Sequence, residues 1–455
     1  VEPGQCVSGL LPRVPELVAL ILGAFRAGAV YQPLFTAFGA GAIEQRLGTS
    51  GAKVVVTDAA NRSKLDGLDN PPTVMVVGGS GTDIDLSASL DRQPTEFEPV
   101  MRVGDDALLM MSTSGTTGPP KGVRVPIRSL VAFDAYMRFG LDVRSEDDFW
   151  NIADPGWAYG LYYAVIGPLL RGHQTTLYDG GFSVESTVSL IDELGVTNLA
   201  GAPTAYRMMI AAGADAMAPI VGRLRVASSA GEPLNPEIMR WFDEHLDCPV
   251  YDQYGQTECG MALANHHGLR HDVRPGSAGF ALPGFTLRVV DDEGHPVPPG
   301  TEGMLAVDVS ESPLFFFDGY LGAEGEGWVN GHYLTGDTVE QNDDGSISFV
   351  GRSDDVISSA GYRIGPFDVE SCLLEHEAVA ESAVVGKPDE QRGEIVKAFV
   401  ILHPGHSADE ALTAELTEHV RGRLGKHAFP REIEFVESLP KTPSGKIQRF
   451  ILRSQ

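Results

Sequence analysis

The chain has 455 residues, with 34 basic against 62 acidic side chains and a formal charge of −28. Its length suits about three domain-sized units, and 43% apolar with 21% charged residues describes a globular chain, not a disordered one. So negative a chain, with no long basic run, excludes nucleic-acid binding as the main function but allows local basic pockets for small phosphates.

In chain order, residues 14–27 place Leu17, Leu20, Ile21, Ala24 and Phe25 at three-to-four spacing with Gly28 at the stop, which predicts an amphipathic helix. Short apolar runs at 54–56 and 74–77, bounded by Gly, Asp or Pro, predict buried strands. Strands are then expected at 108–111, 175–178, 197–199 and 224–227, and helices at 184–194, 205–211 and 236–245. This alternation argues for parallel sheets covered by helices on both faces. Beyond about residue 270 the pattern turns to strands separated by turn clusters, Asp291-Asp292-Glu293-Gly294 and Asn342-Asp343-Asp344-Gly345, which lack the ligand spacing of a calcium loop. From Asp354 onward a compact α+β segment is expected, with helices near 369–375 and 409–424 and strands at 380–385, 396–402 and 433–436.

Four cysteines (Cys6, Cys248, Cys259, Cys372) are scattered without a CxxC pair and read as free thiols of a reducing compartment. The longest strongly apolar run, 17–25, is too short to span a bilayer, and no signal-peptide pattern is present. The chain therefore reads as cytoplasmic, without stable membrane insertion, and the Asn61-Arg62-Ser63 sequon as a chance match. It begins at Val1 in what reads as the middle of a domain, so a preceding segment is expected.

The most informative stretch is Ser112-Thr113-Ser114-Gly115-Thr116-Thr117-Gly118-Pro119-Pro120-Lys121-Gly122, directly after a predicted strand. At a strand exit, hydroxyls and glycines supply O–H and unobstructed N–H groups that can surround a polyphosphate, and Lys121 adds a point charge. Pro120 stands where a Walker loop needs glycine, and a surface Ser/Thr/Gly loop would have the same composition. The remaining segments decide between the two readings: Tyr251-Asp252-Gln253-Tyr254-Gly255-Gln256-Thr257-Glu258, Tyr333-Leu334-Thr335-Gly336-Asp337, Gly351-Arg352-Ser353-Asp354-Asp355, Ser359-Ala360-Gly361-Tyr362-Arg363-Ile364-Gly365 and Pro440-Lys441-Thr442-Pro443-Ser444-Gly445-Lys446-Ile447. In this order the set resembles the adenylate-forming superfamily of acyl-CoA synthetases, adenylation domains and luciferases over essentially the whole chain. Residues 358–402 are most similar to medium-chain acyl-CoA synthetases.

The resemblance implies an α/β fold: a large N-terminal region of parallel sheets flanked by helices, with a small β-rich subdomain, over 1–353, then a small mobile α+β domain over 354–455. It implies ATP-dependent conversion of a carboxylic acid to acyl-AMP and transfer to CoA, with Mg²⁺ on the phosphates. Thr113, Ser114, Gly115, Thr116, Thr117, Gly118 and Lys121 would hold the β- and γ-phosphates. Gly231, Glu232, Pro233, Asp252, Gln253 and Tyr254 would flank adenine, and Gly255 and Gln256 complete that strand of the nucleotide site. Asp337 would accept the ribose hydroxyls with help from Arg352. Thr257 would contact the α-phosphate and the substrate carboxylate, Glu258 would ligate Mg²⁺, and Lys446 would stabilise charge in the first half-reaction.

Asp354 is implied as the hinge. Ala360, Gly361, Tyr362, Arg363, Arg392, Arg421, Phe429 and Arg431 are implied on the CoA side. Trp157, Ala202 and Gly255 would shape the acyl pocket; acetate-specific members carry tryptophan where Gly255 stands, so glycine is expected to leave room for a longer acid. Three of only eight lysines (Lys121, Lys441, Lys446) fall in these segments, though Lys441 reads equally well as a surface lysine. His267 and His271 have helical metal-ligand spacing but no third ligand. Two rivals stay open at this stage: transfer of the acyl group to a carrier-protein pantetheine, and a non-catalytic binding relative. Oligomeric state does not follow from sequence, although a homo-oligomer is compatible with it.

Overall fold

The computed structural model describes residues 1–79, 83–113, 120–360, 362–389, 391–442 and 446–454. Among them, four sheets organise the chain. The first has seven strands in the order Ile84–Asp85, Thr73–Val77, Val54–Asp58, Cys6–Leu10, Val30–Pro33, Ala107–Ser112 and Gly122–Pro126. Its strands are parallel except for the closing hairpin, in which Ala107–Ser112 pairs antiparallel with Gly122–Pro126. The second sheet runs Phe280–Ala281, Gly260–Ala264, Val250–Gln256, Val226–Ala230, Asn198–Gly201 and Phe149–Asn151, parallel from Val250–Gln256 to Phe149–Asn151 and antiparallel beyond. Parallel pairing places strand exits of one direction together, so the ends of Ala107–Ser112 and Val250–Gln256 present their loops where ligands bind in open α/β sheets.

The third sheet is antiparallel, with Leu287–Val290, Glu302–Asp308, His332–Gln341 and Trp328–Val329 in order and Ile347–Arg352 paired to His332–Gln341. The fourth comprises Tyr362–Ile364, Ile357–Ser359, Gly393–Leu402 and Val379–Asp389, with Glu432–Phe435 added in parallel. Its two helices, Pro366–Leu374 and Glu410–Leu424, pack Val369, Leu373, Leu412, Leu416 and Val420 into a separate apolar core. The fold is the expected α/β class.

Most expected elements stand within a few residues of their predicted bounds; the helices Pro15–Arg26 and Val184–Leu194 are examples. The expected strand at 175–178 does not form. Among the described residues, one main-chain bond, Thr176 N–H to Phe149 O (3.3 Å), links it towards the second sheet, whose edge is Phe149–Asn151. Two buried π-helical stretches, Tyr136–Gly140 and Leu161–Ile166, have no counterpart in the sequence reading. They carry Tyr136, Tyr162 and Tyr163 into the main core, where Phe133 stacks on Tyr162 at 4.4 Å. The cysteines Cys6, Cys248, Cys259 and Cys372 are all free and buried. Among the described residues, no helix is long and apolar enough to cross a membrane.

Candidate active site

The hairpin after Ala107–Ser112 is closed at its neck by two bonds: Thr113 N–H donates to the Lys121 carbonyl (2.9 Å) and Lys121 N–H to Thr113 Oγ1 (3.0 Å). Ser114, Gly115, Thr116, Thr117 and Gly118 lie outside the described residues. The Lys121 ammonium pairs with Glu326 and sits 4.9 Å over the Tyr320 ring. Tyr320 in turn donates its hydroxyl to Glu258 (2.6 Å). Lys121 and Glu258, 137 positions apart in the sequence, thus meet through a tyrosine that the sequence reading did not single out. Glu258 is buried, and that burial raises its carboxyl above the ordinary range, against the Tyr320 hydrogen bond. A second tyrosine that the sequence does not mark, Tyr162, donates to the Thr257 carbonyl at 3.3 Å, so a π-helical stretch steadies this corner.

Asp337 stands in the long strand His332–Gln341, directly opposite Arg352 in the ladder. Its Oδ1 accepts from Arg352 (3.1 Å) and its Oδ2 from Gln256 Nε2 (2.7 Å) and the Tyr254 hydroxyl. Gln256 also donates to the Thr335 carbonyl (2.8 Å), tying the second sheet to the third. Burial pushes the Asp337 carboxyl up, while Arg352 and the two hydrogen bonds pull it down. Gly336 precedes it at φ +74°, and a Cβ there would lie 3.0 Å from the Arg352 guanidinium, so glycine is required both by the backbone and by the close approach.

Asp252 and Gln253 are consumed internally. Both Asp252 oxygens accept main-chain N–H groups, from Leu234 (3.1 Å) and Gln253 (3.0 Å), so this carboxylate shapes the turn that presents Gly231, Glu232 and Pro233. Gln253 donates to the Gly140 carbonyl (2.9 Å) and accepts from Tyr136. Glu232 accepts from Arg207 (3.2 Å) and Thr204 (3.3 Å).

Burial pushes the Asp252 carboxyl up to about 7 from 3.8. The folded protein then keeps this proton where the unfolded chain has released it, so its stabilising contribution is complete below pH 3.8 and is lost as pH rises through about 7. The melting temperature of wild type minus that of Asp252→Asn should accordingly fall across this window and level off above it. A difference independent of pH, measured by thermal melts in matched buffers, would show that Asp252 is ionised throughout.

The three residues expected at the acyl pocket stand on different elements. Trp157 packs against Phe35 (5.4 Å) and Phe38 (5.2 Å) beside the first sheet, and Ala202 caps the helix Pro203–Ala211. The expectation that Gly255 opens space is corrected. A Cβ at Gly255 would lie 2.3 Å from the Gly260 carbonyl oxygen and 2.6 Å from Met261 Sδ, because Val250–Gln256 bulges against Gly260–Ala264 at that step. The glycine permits this close backbone approach, and Met261 occupies the space beside it. Met261 is held by its N–H on the Tyr163 hydroxyl (2.9 Å).

Lys446 is exposed; Thr442 N–H donates to its carbonyl (2.7 Å) and Lys446 N–H to Thr442 Oγ1 (3.1 Å). Lys441 is paired with Glu381 (2.6 Å), which fits the bland reading of that lysine. Three residues beyond Lys446, Arg449 grips Glu370 with two 2.8 Å bonds. Burial opposes the Arg449 charge, yet Glu370, Asp355 and Glu232 hold it above its ordinary range. Among the residues expected to meet CoA, Ala360 (φ +51°) follows Ser359, and its N–H donates to the Arg392 carbonyl (2.8 Å). Tyr362 is exposed and stacks on His427 at 5.0 Å, while Arg421 (4.2 Å) and Arg431 (4.8 Å) both lie over Phe429. Arg363 instead approaches Glu302 (3.5 Å) of the third sheet, and Gly361 lies outside the described residues. His267 and His271 serve the structure: His267 stacks on Tyr251 at 4.2 Å, and His271 accepts the His266 N–H at 2.8 Å.

Comparison with known proteins places this geometry. The profile of the AMP-binding enzyme family matches residues 1–321, and that of the AMP-binding enzyme C-terminal domain matches 368–446. The chain belongs to the AMP-binding enzyme family. It is 39% identical to the acetyl-coenzyme A synthetase of Bacillus subtilis (strain 168), over 100% of this chain and 81% of that protein. A crystal structure of an acyl-CoA synthetase from Brucella canis is 61% identical, covers 100% of this chain and 84% of the other, and superposes with a TM-score of 0.79. The anthranilate CoA ligase AuaEII, solved with anthranoyl-AMP, is only 29% identical yet superposes with a TM-score of 0.91, over 100% of this chain and 88% of the other. This AMP-binding enzyme is an AMP-forming acyl-CoA ligase that joins an acid to CoA at the expense of ATP.

Proposed function

We propose that the enzyme activates acids larger than acetate, in the medium-chain range, and that the observation carrying this reading is the make-up of the step from Gly255 to Met261. No indole stands at 255; the space beside it holds a methionine, whose unbranched thioether adjusts to the shape of a neighbour. Met261 is then a movable floor, and a longer acyl chain is admitted by turning it aside.

In the first half-reaction, a carboxylate oxygen of the acid attacks the α-phosphorus of ATP and the bond to pyrophosphate breaks. Thr257 would orient the attacking carboxylate and the α-phosphate, Asp337 would hold the ribose, and Thr113 and Lys121 would grip the outer phosphates once Lys121 leaves Glu326. Lys446 would meet the charge that builds between carboxylate and phosphorus. The buried Glu258 carboxylate, bounded by the Tyr320 hydroxyl and the oxygen-rich Thr257 corner, suits a hard cation, and Mg²⁺ held there would neutralise phosphate charge. In the second half-reaction the CoA thiol attacks the acyl carbon and AMP leaves.

In this reading the boundary between the two working parts falls between residues 353 and 354, and residues 354–455 would turn about Asp354. We read the present arrangement as the one suited to the first half-reaction, a reading that the exposure of Tyr362 supports.

The test is AMP release from acetate through decanoate, with benzoate alongside, in the presence and absence of CoA. The highest kcat/KM should fall on an acid longer than acetate and should need CoA. Met261→Ala should move the optimum to longer chains and Met261→Trp to shorter ones, each by about 1–3 kcal/mol per methylene of discrimination. Acetate outrunning every longer acid would end the chain-length reading, and turnover with a carrier-protein pantetheine but not CoA would redirect the acceptor.

A further inference from the structure

We propose that Cys372, Glu375 and His419 form a binding site for a borderline-soft divalent cation of the Zn²⁺ type, apart from the nucleotide site and from the Mg²⁺ of the reaction. One ligand atom from each of these side chains lies within 4.8 Å of the others. Cys372 is in the last turn of the helix Pro366–Leu374 and Glu375 follows its end, while His419 comes from the helix Glu410–Leu424 packed against it.

One ring nitrogen of the histidine is already committed to the backbone. A carbonyl at a helix C-terminus lacks an intrahelical partner, and the Cys372 carbonyl accepts the Glu375 N–H (3.3 Å) and a bond from His419 Nε2 (3.0 Å). A carbonyl oxygen only accepts, so Nε2 carries the hydrogen and Nδ1 keeps the lone pair that a metal would use. One ring nitrogen donating to the backbone while the other faces the metal is the usual outer arrangement around bound cations. His376 is excluded as a fourth ligand, because its Nδ1 accepts the Ala378 N–H (3.2 Å) and its Nε2 faces Glu415 (3.3 Å). Three protein donors and one position for water result.

The donor chemistry selects the ion. A thiolate, an imidazole and a carboxylate suit Zn²⁺ and its neighbours, whereas Mg²⁺ takes oxygen ligands only. Binding deprotonates the Cys372 thiol, and that proton passes to solvent. The other grouping of this kind, Asp291, Glu293 and His295, has no thiol, and Asp291 already accepts the N–H groups of Glu293 and His295.

Access is through Glu375, whose side chain is 26% exposed and borders a cleft of about 270 Å³. Arg423 lies against the Glu375 carboxylate and must move when a cation enters; Glu237 and Glu377 on the cleft walls offer it other carboxylates. Glu237 belongs to the helix Pro236–Leu246, so the site stands where the C-terminal part meets the N-terminal one.

The experiment uses the whole protein, stripped with chelator and titrated with Co²⁺ as a spectroscopic stand-in. One equivalent should bind with a thiolate-to-cobalt charge-transfer band in the near ultraviolet, and Zn²⁺ should displace it. Cys372→Ser should abolish the band, and His419→Gln and Glu375→Gln should each weaken binding about tenfold or more. Retained ATP–pyrophosphate exchange in Mg²⁺ shows that a variant is folded, and His419→Gln keeps the test open should Cys372→Ser not fold. A wild-type protein without the band, a band that survives Cys372→Ser, or unchanged affinity in both other variants would overturn the site.

Discussion

Replacing Lys446 with alanine is expected to lower ATP–pyrophosphate exchange by about 10²–10³-fold or more, the usual cost of losing a group that meets transition-state charge, while leaving thioester formation from supplied acyl-AMP nearly unchanged. The asymmetry follows from where the lysine sits. Thr442 N–H donates to the Lys446 carbonyl, Lys446 N–H to Thr442 Oγ1, and Gln448 N–H to the Pro440 carbonyl (2.9 Å). The segment is anchored further by Lys441 on Glu381 and by Arg449 on Glu370. None of these uses the Lys446 side chain, so alanine removes an exposed amine and little else, and the melting temperature should stay near that of wild type. Arginine at 446 should rescue poorly, because a planar fork does not replace a compact point charge between two reacting groups. Equal loss in both half-reactions would remove Lys446 from the chemistry and make its turn merely structural.

What the sequence made legible is what chemistry writes into short contiguous runs. Strand exits rich in Gly, Ser and Thr, a lone Asp after a glycine, and a lysine in a turn near the end of the chain are all visible without coordinates. Their wiring is not. Tyr320, which carries Glu258 to Lys121, follows an apolar stretch, Phe315-Phe316-Phe317, that reads as core. A signal did exist, in an aromatic with a hydroxyl just outside that run. The role of Gly255 is hidden from the sequence for a related reason. A missing side chain looks like a vacancy in one dimension, but the neighbouring strand closes it, and only the pairing of Val250–Gln256 with Gly260–Ala264 shows that Met261 takes the space. Asp252 likewise reads as a ligand residue, whereas its oxygens are spent on the chain itself. The π-helical stretches escaped because their periodicity differs from 3.6 and their aromatics are buried all round.

The complementary substitution, Asp354→Pro, is expected to spare adenylation and to slow transfer to CoA. Asp354 stands between two anchored groups. On one side Arg352 bonds Asp337, and its Nε lies 3.6 Å from the Asp354 carboxylate; on the other Arg453 bonds the Asp354 carbonyl (2.7 Å) and Asp355 Oδ1 (2.5 Å). The chain before 354 is thereby tied to the Asp337 cluster and the chain after it to the C-terminal part, which concentrates any rotation on this residue's own dihedrals. The local turn is closed by Asp355 N–H (2.9 Å) and Val356 N–H (3.0 Å) on the Arg352 carbonyl, and proline at 354 removes neither bond. It does fix φ near −65° and crowds Ser353, so adenylation should fall only several-fold. Held in the present arrangement, the Tyr362 and Phe429 face cannot deliver the thiol, and such misplacement costs on the order of 10²-fold. Single-turnover measurement of both steps on one preparation decides the matter: Lys446→Ala and Asp354→Pro should fail in opposite halves of the reaction. A proline variant that transfers its acyl group to CoA at the wild-type rate would place the pivot elsewhere in the chain.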